Sequence, residues 1–403
     1  MSNSILTPSV IAKEALMQLK NSLVMGRKVH RDYAKEFVKV GDTISIRRPV
    51  KFSVTDGATL VKQDVVEGKT TVSIDKRKHV AWSFDTQTMT LSIEEYSKRY
   101  IQPAMISLAN QVDSDGCALA KNVWNWVGTP GQVINAFGDF AKGPERLDLG
   151  SVPQDMRHAV LSPSDKWGLL GQQTGLYMTG PATDAYRRGE LGDIGGVDTA
   201  MDQNVYTHTV GAHGGTPKIK GANQDVTYLA SKDTNSQSLI TDGWSSGATT
   251  LNAGDVFTID DVYAVNQRSG ATLPHLQQFV VNATISDTAG DITMSISPAI
   301  ITSGPYQTVS AAPANDADIN MVGTASTGYA QNLVFHKNAF ALVTRPLELP
   351  DGAAWKARES YDGLSLRIIK DYDITNDEEV CRIDMLYGWK AIYPELATRL
   401  SGT

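Results

Sequence analysis

Cysteine is scarce: the 403 residues hold two, Cys117 and Cys381, far apart in the chain. Two isolated cysteines supply neither a disulfide framework nor a zinc spacing. No apolar run approaches the roughly 20 residues that a helix needs to span a bilayer. The N-terminus has no charged segment followed by an apolar stretch and a cleavage site, so synthesis in a reducing cytoplasm is expected, without secretion. A basic stripe is missing too, and with it the footprint of a nucleic-acid reader: 37 Lys and Arg stand against 44 Asp and Glu. Between Lys218 and Thr327 glutamate is absent altogether, and ten aspartates face only Lys218, Lys220, Lys232 and Arg268. The remainder is close to neutral, with 33 basic and 34 acidic residues. A segment with its own charge habit reads as an insert. No internal repeat is visible.

What is present is a globular composition, 41% hydrophobic and 20% charged, with length for two or three domains and a real core. The chain reads best around the stretch from Ser92 to Val127. Ile101, Met105, Leu108, Val112, Leu119, Val123 and Trp126 recur in steps of three, four or seven, the period of one helix face. Gly116 fills the gap in that stripe, where a missing side chain would let another backbone come close. Pro103 predicts a short first helix, a kink, and a second helix over about 103–127, roughly 35 Å long. Asn110, Asp113, Lys121 and Asn125 on the other face suit a beam lying at the surface.

Before this beam, Thr7-Pro8 reads as a helix start, and Val10, Ile11, Leu16, Leu19 and Leu23 give a stripe ending near Gly26. Nine basic and four acidic residues make the first fifty a basic arm. Thr43–Arg47, Thr71–Asp75 and His79–Phe84 alternate as strands. The polar stretch from Lys51 to Lys69 is too long for a tight turn, so the first two strands read as an extended arm with little core of its own. Such an arm wants a neighbour.

After the beam, 128–150 reads as loop with one short helix, Asp155–Leu161 as a buried strand, and Ser162-Pro163-Ser164-Asp165 as a helix start. A glycine-rich passage through Gly189, Gly192, Gly195 and Gly196 leads to a strand at Asn204–Thr207. From 218 to 327, short runs such as Val226–Leu229, Asp255–Ile259 and Phe279–Val281 alternate with turn residues. Phe279–Ile285 and Ile292–Ile296 form an expected hairpin, and the whole argues a small barrel or sandwich. Strands return at Asn332–Lys337, Ala339–Pro346, Ser365–Lys370 and Glu379–Asp384.

Catalytic constellations are not found. Gly243-Trp244-Ser245-Ser246-Gly247 has the spacing of a nucleophile elbow, but Ala248–Leu251 reads as strand where that motif needs a helix. His208 and His213 do not share a helix face as zinc ligands would, and the glycines at 211, 214 and 215 match no phosphate loop. Asp371, Asp373, Asp377, Glu378 and Glu379 lack the glycine and terminal glutamate of a calcium loop, and read as a solvated turn between strands. No catalytic, cofactor or metal residue is assigned, and no enzyme is expected.

The order of elements, and several stretches within it, resemble the major capsid protein of tailed bacteriophages, in the short-tailed-phage coat-protein branch that carries an inserted β-barrel domain. Asp155-Met156 through Pro163-Ser164-Asp165, Ala185-Tyr186-Arg187-Arg188-Gly189 and Gly196-Val197-Asp198 are similar to that family's axial domain. Leu251–Ile259 is similar to a strand pair of its insert. Asn332–Pro346 and Cys381-Arg382-Ile383 through Tyr387-Gly388 are similar to the segments that re-enter the main fold. Residues 129–150 depart from the pattern.

The resemblance implies an α+β tailed-phage capsid fold. Its parts would be an N-terminal arm (1–42), an extended β-loop (43–86), a peripheral domain with the spine helix (87–149), an axial domain (150–217), an inserted all-β barrel (218–327) and a return to the axial and peripheral domains (328–403). It implies a structural protein of the virion that self-assembles as hexamers and pentamers into an icosahedral head. Scaffolding and portal proteins would be its partners, and it would enclose dsDNA without sequence-specific binding and without membrane or cofactor. Ala230–Gly243 would be a projecting loop, and Lys62, Asp64, Lys232, Asp233 and Asp242 would make contacts between subunits. Two rival classes remain: a β-rich cell-surface adhesin or binding protein, against which the missing signal peptide and the long helix both count, and a hydrolase with a β-accessory domain, against which the absence of a convergent catalytic set counts.

Overall fold

The protein is described here by a computed structural model covering residues 8–33, 43–52, 54, 57–58, 60, 62–85, 97–173, 192–245, 249–287, 291–353, 355–375 and 378–403. Two compact units divide the chain. The smaller takes 1–45, 71–117 and 340–390, and the larger takes 46–70, 118–339 and 391–403.

In the smaller unit the N-terminal helix runs from Pro8 to Ser22, burying Ala12, Ala15, Leu16 and Leu19, and a second short helix spans Met25–Lys28. The spine helix, Gln102–Cys117, is led in by a π-helical turn at Ser97–Ile101. Pro103 is the second residue of the α-helix, directly after that π-helical turn, so the helical pattern changes at the proline. The part of the expected first helix at 92–96 lies outside the described residues. Helical structure continues as a 3-10 turn, Ala118–Asn122, and stops short of 127. Trp126 and Val127 leave the helical pattern because they pair in parallel with Arg399 and Leu400.

Asp113 corrects the surface-beam reading. It is buried, and its carboxylate accepts the backbone N–H groups of Val24 (2.6 Å) and Gly26 (2.9 Å), fixing the turn between the first two helices. At Gly116 the close neighbour is a ring rather than a backbone: an added Cβ would lie 2.7 Å from the Trp389 indole, whose Nε1 donates to the Val112 carbonyl at 3.1 Å. The sheet beside the helix is built on Glu378–Ala391. This strand runs antiparallel to Lys76–Asp85 on one side and to Leu364–Asp373 on the other, with Trp355–Tyr361 beyond and Phe340–Arg345 also paired to it. Its Asp384 is wholly buried, held by Arg367 at 2.6 Å and Arg382 at 2.8 Å.

The larger unit contains two sheets that matter. The first has the order Trp126–Val127, Ala397–Leu400, Asn332–His336, Arg157–Leu161, Val197–Met201 and Asp193–Ile194. Its central strands are buried along almost their whole length because the sheet is covered, on one side by helix Phe137–Leu149 through Phe140 and Leu147, and the polar side chains they carry, Asn332 and Arg399 among them, are hydrogen-bonded inside. That helix is longer than the loop-rich reading of 128–150 allowed. A helix at Pro163–Gln173 follows the buried strand as expected. The motif at 185–189 lies outside the described residues, and the strand expected at Asn204–Thr207 is found at Thr207–Thr209.

The second sheet is a barrel. Its order is Ile319–Met321, Val256–Val265, Thr272–Val281, Ile292–Ser297, Gln237–Trp244, Gly215–Ile219. The outer strands meet: Ile219 N–H donates to Ala317 O at 3.0 Å, and Asp316 N–H donates to Ile219 O at 2.9 Å. This nearly closes the sheet and covers much of the edge that a six-stranded open sheet would expose. Leu239, Phe257, Ile259, Phe279, Met294, Ile296 and Ile319 fill the interior.

Three details of the sequence reading change here. Val226–Leu229 is not a strand; Tyr228–Ser231 is a short helix. Ile285–Asp287 pairs with Thr249–Leu251 rather than with Ile292–Ile296, so the expected hairpin is joined near one end, through Val280, Val281 and Asn282. Ala230–Gly243 is not a projecting loop, since Gln237–Trp244 is a barrel strand between two others. The chain enters and leaves the barrel through one narrow ribbon, Thr207–Thr209 antiparallel to Gly328–Ala330.

Candidate assembly surface

Strands Thr43–Arg47 and Lys69–Ser73 form a two-stranded sheet of their own. At its open end Arg48 N–H donates to Gly68 O at 2.8 Å, Arg47 pairs with Glu67 at 3.3 Å, and Arg48 Nε donates to Thr70 Oγ1 at 2.9 Å. An isolated pair of strands is marginal in water, and this one is tied down by the barrel's flank. Tyr306 does most of it. Its hydroxyl accepts Lys51 N–H at 3.1 Å and donates to Val66 O at 3.3 Å, gripping both legs of the arm. Its ring stacks on Tyr228 with centroids 3.5 Å apart. Burial, then the neighbouring Tyr306, pushes the Tyr228 hydroxyl up to about 12. Lys69 N–H donates to Asp233 at 3.0 Å, and Gly68 lies so close to the Lys232 carbonyl that a side chain there would collide with it.

Beyond this root the arm turns apolar residues outward. Phe52 is 64% exposed, Val54 96%, Leu60 79% and Val65 60%. Single exposed apolar residues are ordinary, but four within 52–65 are a concentration, and exposed apolar residues concentrated in this way mark contact sites.

The five residues assigned to subunit contacts separate by position. Lys62 and Asp64 are exposed on the arm and make no ion pair with any described residue. Asp233 is exposed, yet one carboxylate oxygen is engaged by Lys69 of the same chain, and Lys232 stands beside it at the arm's root. Asp242 is half-buried in the barrel wall, opposite Lys218 in register. The structure does not bring these five together.

Two polar clusters at the root of the barrel were not legible in the sequence. His208 Nε2 lies 2.7 Å from Asp255, which also accepts the N–H groups of Gly211 (3.1 Å) and Asn252 (2.7 Å). Arg399, buried completely, donates to the carbonyls of Val123 (2.8 Å), Gly254 (2.9 Å) and Lys121 (3.1 Å) and to Gln331 Oε1 (3.2 Å). Burial drives its guanidinium down to about 9, against the opposing pull of Asp255. Gln278 and the Trp126 backbone exchange a reciprocal pair, Trp126 N–H to Oε1 at 2.6 Å and Nε2 to Trp126 O at 2.7 Å. These groups pin the barrel's root, and each hydrogen-bonding demand is met inside the protein.

The motifs weighed for chemistry take structural places. Trp244 is in the barrel core, Ser245 N–H donates to Gly214 O at 3.0 Å, and strand Thr249–Leu251 follows; Ser246 and Gly247 lie outside the described residues. Among the described residues no group of three or more His, Cys, Asp or Glu is placed to hold a metal ion.

A curated major capsid protein of Acyrthosiphon pisum secondary endosymbiont phage 1 is 23% identical over 420 aligned positions, covering 98% of this chain and 97% of that protein. Among solved structures, a chain of Mycobacterium phage Che8 aligns over 94% of this chain and 92% of its own, at 13% identity and a TM-score of 0.49. The CUS-3 coat protein I-domain aligns over 28% of this chain and 98% of its own, at 28% identity and a TM-score of 0.20. The profile of the family described as P22 coat protein - gene protein 5 matches residues 2–402. A match over almost the entire length decides the matter: the chain belongs to the P22 coat protein family.

Proposed function

We propose that this major capsid protein builds the shell of a phage head as hexamers and pentamers, with the extended arm of each subunit lying across the next. The observation that carries the reading is the apolar arm, Phe52, Val54, Leu60 and Val65, held out from a firmly tied root. Burying side chains of this kind contributes about 1.5–3 kcal/mol each. An exposed ion pair through Lys62 or Asp64 adds only about 0–1 kcal/mol. Apolar burial therefore drives the contact, and the charges set its register.

In this reading 1–42 is an arm toward a neighbour or a scaffolding protein, and 43–86 is the extended loop. Residues 87–149 with the spine helix form the peripheral domain, 150–217 the axial domain, 218–327 the inserted barrel, and 328–403 the return. Lys232, Asp233 and Asp242 line the barrel flank that a neighbour would meet. A portal protein would occupy one vertex. The near-neutral charge outside 218–327 suits a shell that encloses dsDNA without gripping it. The role is structural, and no catalysis is assigned.

The test is expression of the whole chain, alone and with the candidate scaffold from the neighbouring gene, followed by sucrose sedimentation and negative-stain microscopy. Closed shells or polyheads are expected from the parent. Phe52→Ser with Leu60→Ser should leave soluble, folded subunits that no longer pellet. A parent that stays monomeric even with the scaffold would overturn the reading.

A further inference from the structure

A second surface differs in chemistry from the apolar arm. In the larger unit a cleft of about 910 Å³ opens between the arm's root, helix Phe137–Leu149 and strand Thr272–Val281. That is the size of a small-molecule site, commonly about 300–1,000 Å³. Five lysines and arginines line it against two carboxylates, Glu67 and Glu395, an excess of three positive charges with the histidines neutral.

The two carboxylates answer two of the five cations. Glu67 pairs with Arg47 at 3.3 Å. Lys51 is lowered by burial, but the charge of Glu395 opposes this, and the amine also donates to Gln267. The surplus therefore lies on Arg48, Arg146 and Arg268. Arg48 Nε donates to Thr70, a neutral partner. Arg268, exposed on the rim, has no side-chain partner among the described residues. Arg146 is half-buried, and its guanidinium makes no hydrogen bond or ion pair with any described residue. Burial lowers it to about 10, and Glu145, exposed and next to it in the chain, opposes this only in part. In the same cleft His275 is lowered to about 4, by burial first and by Arg146 second. A desolvated guanidinium beside a neutral imidazole is costly to hold until an anion pairs with it.

Charge and size together favour phosphate chemistry. A planar guanidinium fork meets phosphate oxygens two at a time, and an oligophosphate offers about three charges in one compact body. A peptide would have to bring three acidic residues, each with backbone groups of its own to satisfy. A duplex fits poorly, since the recess contains two carboxylates and is not a stripe along which a phosphate backbone runs. We propose that the cleft binds a phosphate-bearing ligand of about nucleotide size, its oxygens held by Arg146 and Arg268, with Arg48 completing the charge balance. A free nucleotide or oligophosphate and a short unpaired stretch of nucleic acid present the same oxygens. The cleft lies within one subunit, so the proposal stands apart from the assembly reading.

The test uses unassembled full-length chain with isotope-labelled histidine, and tripolyphosphate and a thymidine pentanucleotide as probes at constant ionic strength. Calorimetry at neutral pH reads affinity, and NMR of the His275 ring reads location. Bound tripolyphosphate should raise the His275 midpoint by about one pH unit or more, because it offsets the charge of Arg146. Arg146→Met with Arg268→Met should weaken binding by about tenfold or more, with circular dichroism confirming the folded state. Arg268→Met alone changes only an exposed side chain and should weaken binding about threefold, which keeps the test decisive if the double variant does not fold. No saturable binding of either probe overturns the proposal, as does parental affinity in the variants or binding that leaves His275 unmoved. Hexaglutamate binding as tightly as tripolyphosphate overturns the phosphate assignment and gives the cleft to an acidic peptide. With the proposal upheld, tighter binding of the pentanucleotide than of tripolyphosphate identifies nucleic acid as the source, and the reverse order identifies a free phosphate compound.

Discussion

Asp384 offers the sharpest test of what holds the smaller unit together. It has no exposed surface and faces Arg367 at 2.6 Å, Arg382 at 2.8 Å and Arg77 at 3.7 Å. The last two side chains are more than a third exposed, 38% and 48%, so each contributes about 0–1 kcal/mol. Arg367 is only 10% exposed, and breaking a buried pair by removing one partner costs about 3–5 kcal/mol. Asp384→Asn keeps the volume and one acceptor, which places the expected loss near the lower end, about 3 kcal/mol. That is a large share of the about 5–15 kcal/mol typical of a whole protein.

The pH dependence gives the claim a second edge. Burial alone would push the Asp384 carboxyl up; the hydrogen bonds and charges of Arg367 and Arg382 outweigh it and hold the group below its ordinary value. A depressed carboxylate contributes stability that is complete above the unfolded value, about 3.9, and disappears as pH falls through the folded one. Urea unfolding of unassembled subunits should therefore show a constant gap between parent and variant from about pH 5 to 8, closing below about pH 4. A gap under about 1 kcal/mol at pH 7, or one unchanged in strong acid, would refute the reasoning.

Three further outcomes are expected. Gly116→Ala should cost about 1–3 kcal/mol by overpacking, because the new Cβ displaces the Trp389 ring and its bond to Val112; urea midpoints would show it. Tyr306→Phe removes the hydroxyl that grips both legs of the arm, so amides across 49–68 should exchange faster by about 1–2 kcal/mol of local stability while barrel amides do not change. His275 should titrate near 4 by NMR, burial being the main cause, and Arg146→Met should move it upward. Since its folded value is depressed, its share of stability is intact above about 6.5 and is lost as pH falls toward 4.

Local pattern carried far in this chain because its longest elements are amphipathic on one face. The stripe through Met105, Leu108 and Val112 reads directly as the buried side of the spine helix. The same logic misplaced Asp113, since a carboxylate on a helix is normally solvated and the two amides it caps come from Val24 and Gly26, far back in the chain. It also carried the helix past Asn122, because Trp126 fits the helical period equally well until a parallel partner at Arg399 takes it. The acidic, glutamate-free stretch was recognisable as a separate body, but its edge closure through Ile219 and Ala317 was not. At the assembly surface the arm was legible from its length and polarity. Its grip by Tyr306 depends on contacts between distant segments that no spacing encodes.

The ribbon at Thr207–Thr209 and Gly328–Ala330 has a bearing on protein engineering. Paired antiparallel strands bring the two ends of the intervening chain side by side, so splicing Thr209 to Gly328 needs only a short bridge, and a foreign domain could in principle be grafted between them. Excision would nonetheless strip Arg399 of the Gly254 carbonyl, the Trp126 backbone of Gln278, and His208 of Asp255. Arg399 would keep the Val123 and Lys121 carbonyls and Gln331, but a buried guanidinium that loses an acceptor still costs stability. A chimera that keeps the host's present residues must bring its own partners for the Trp126 backbone, His208 and Arg399.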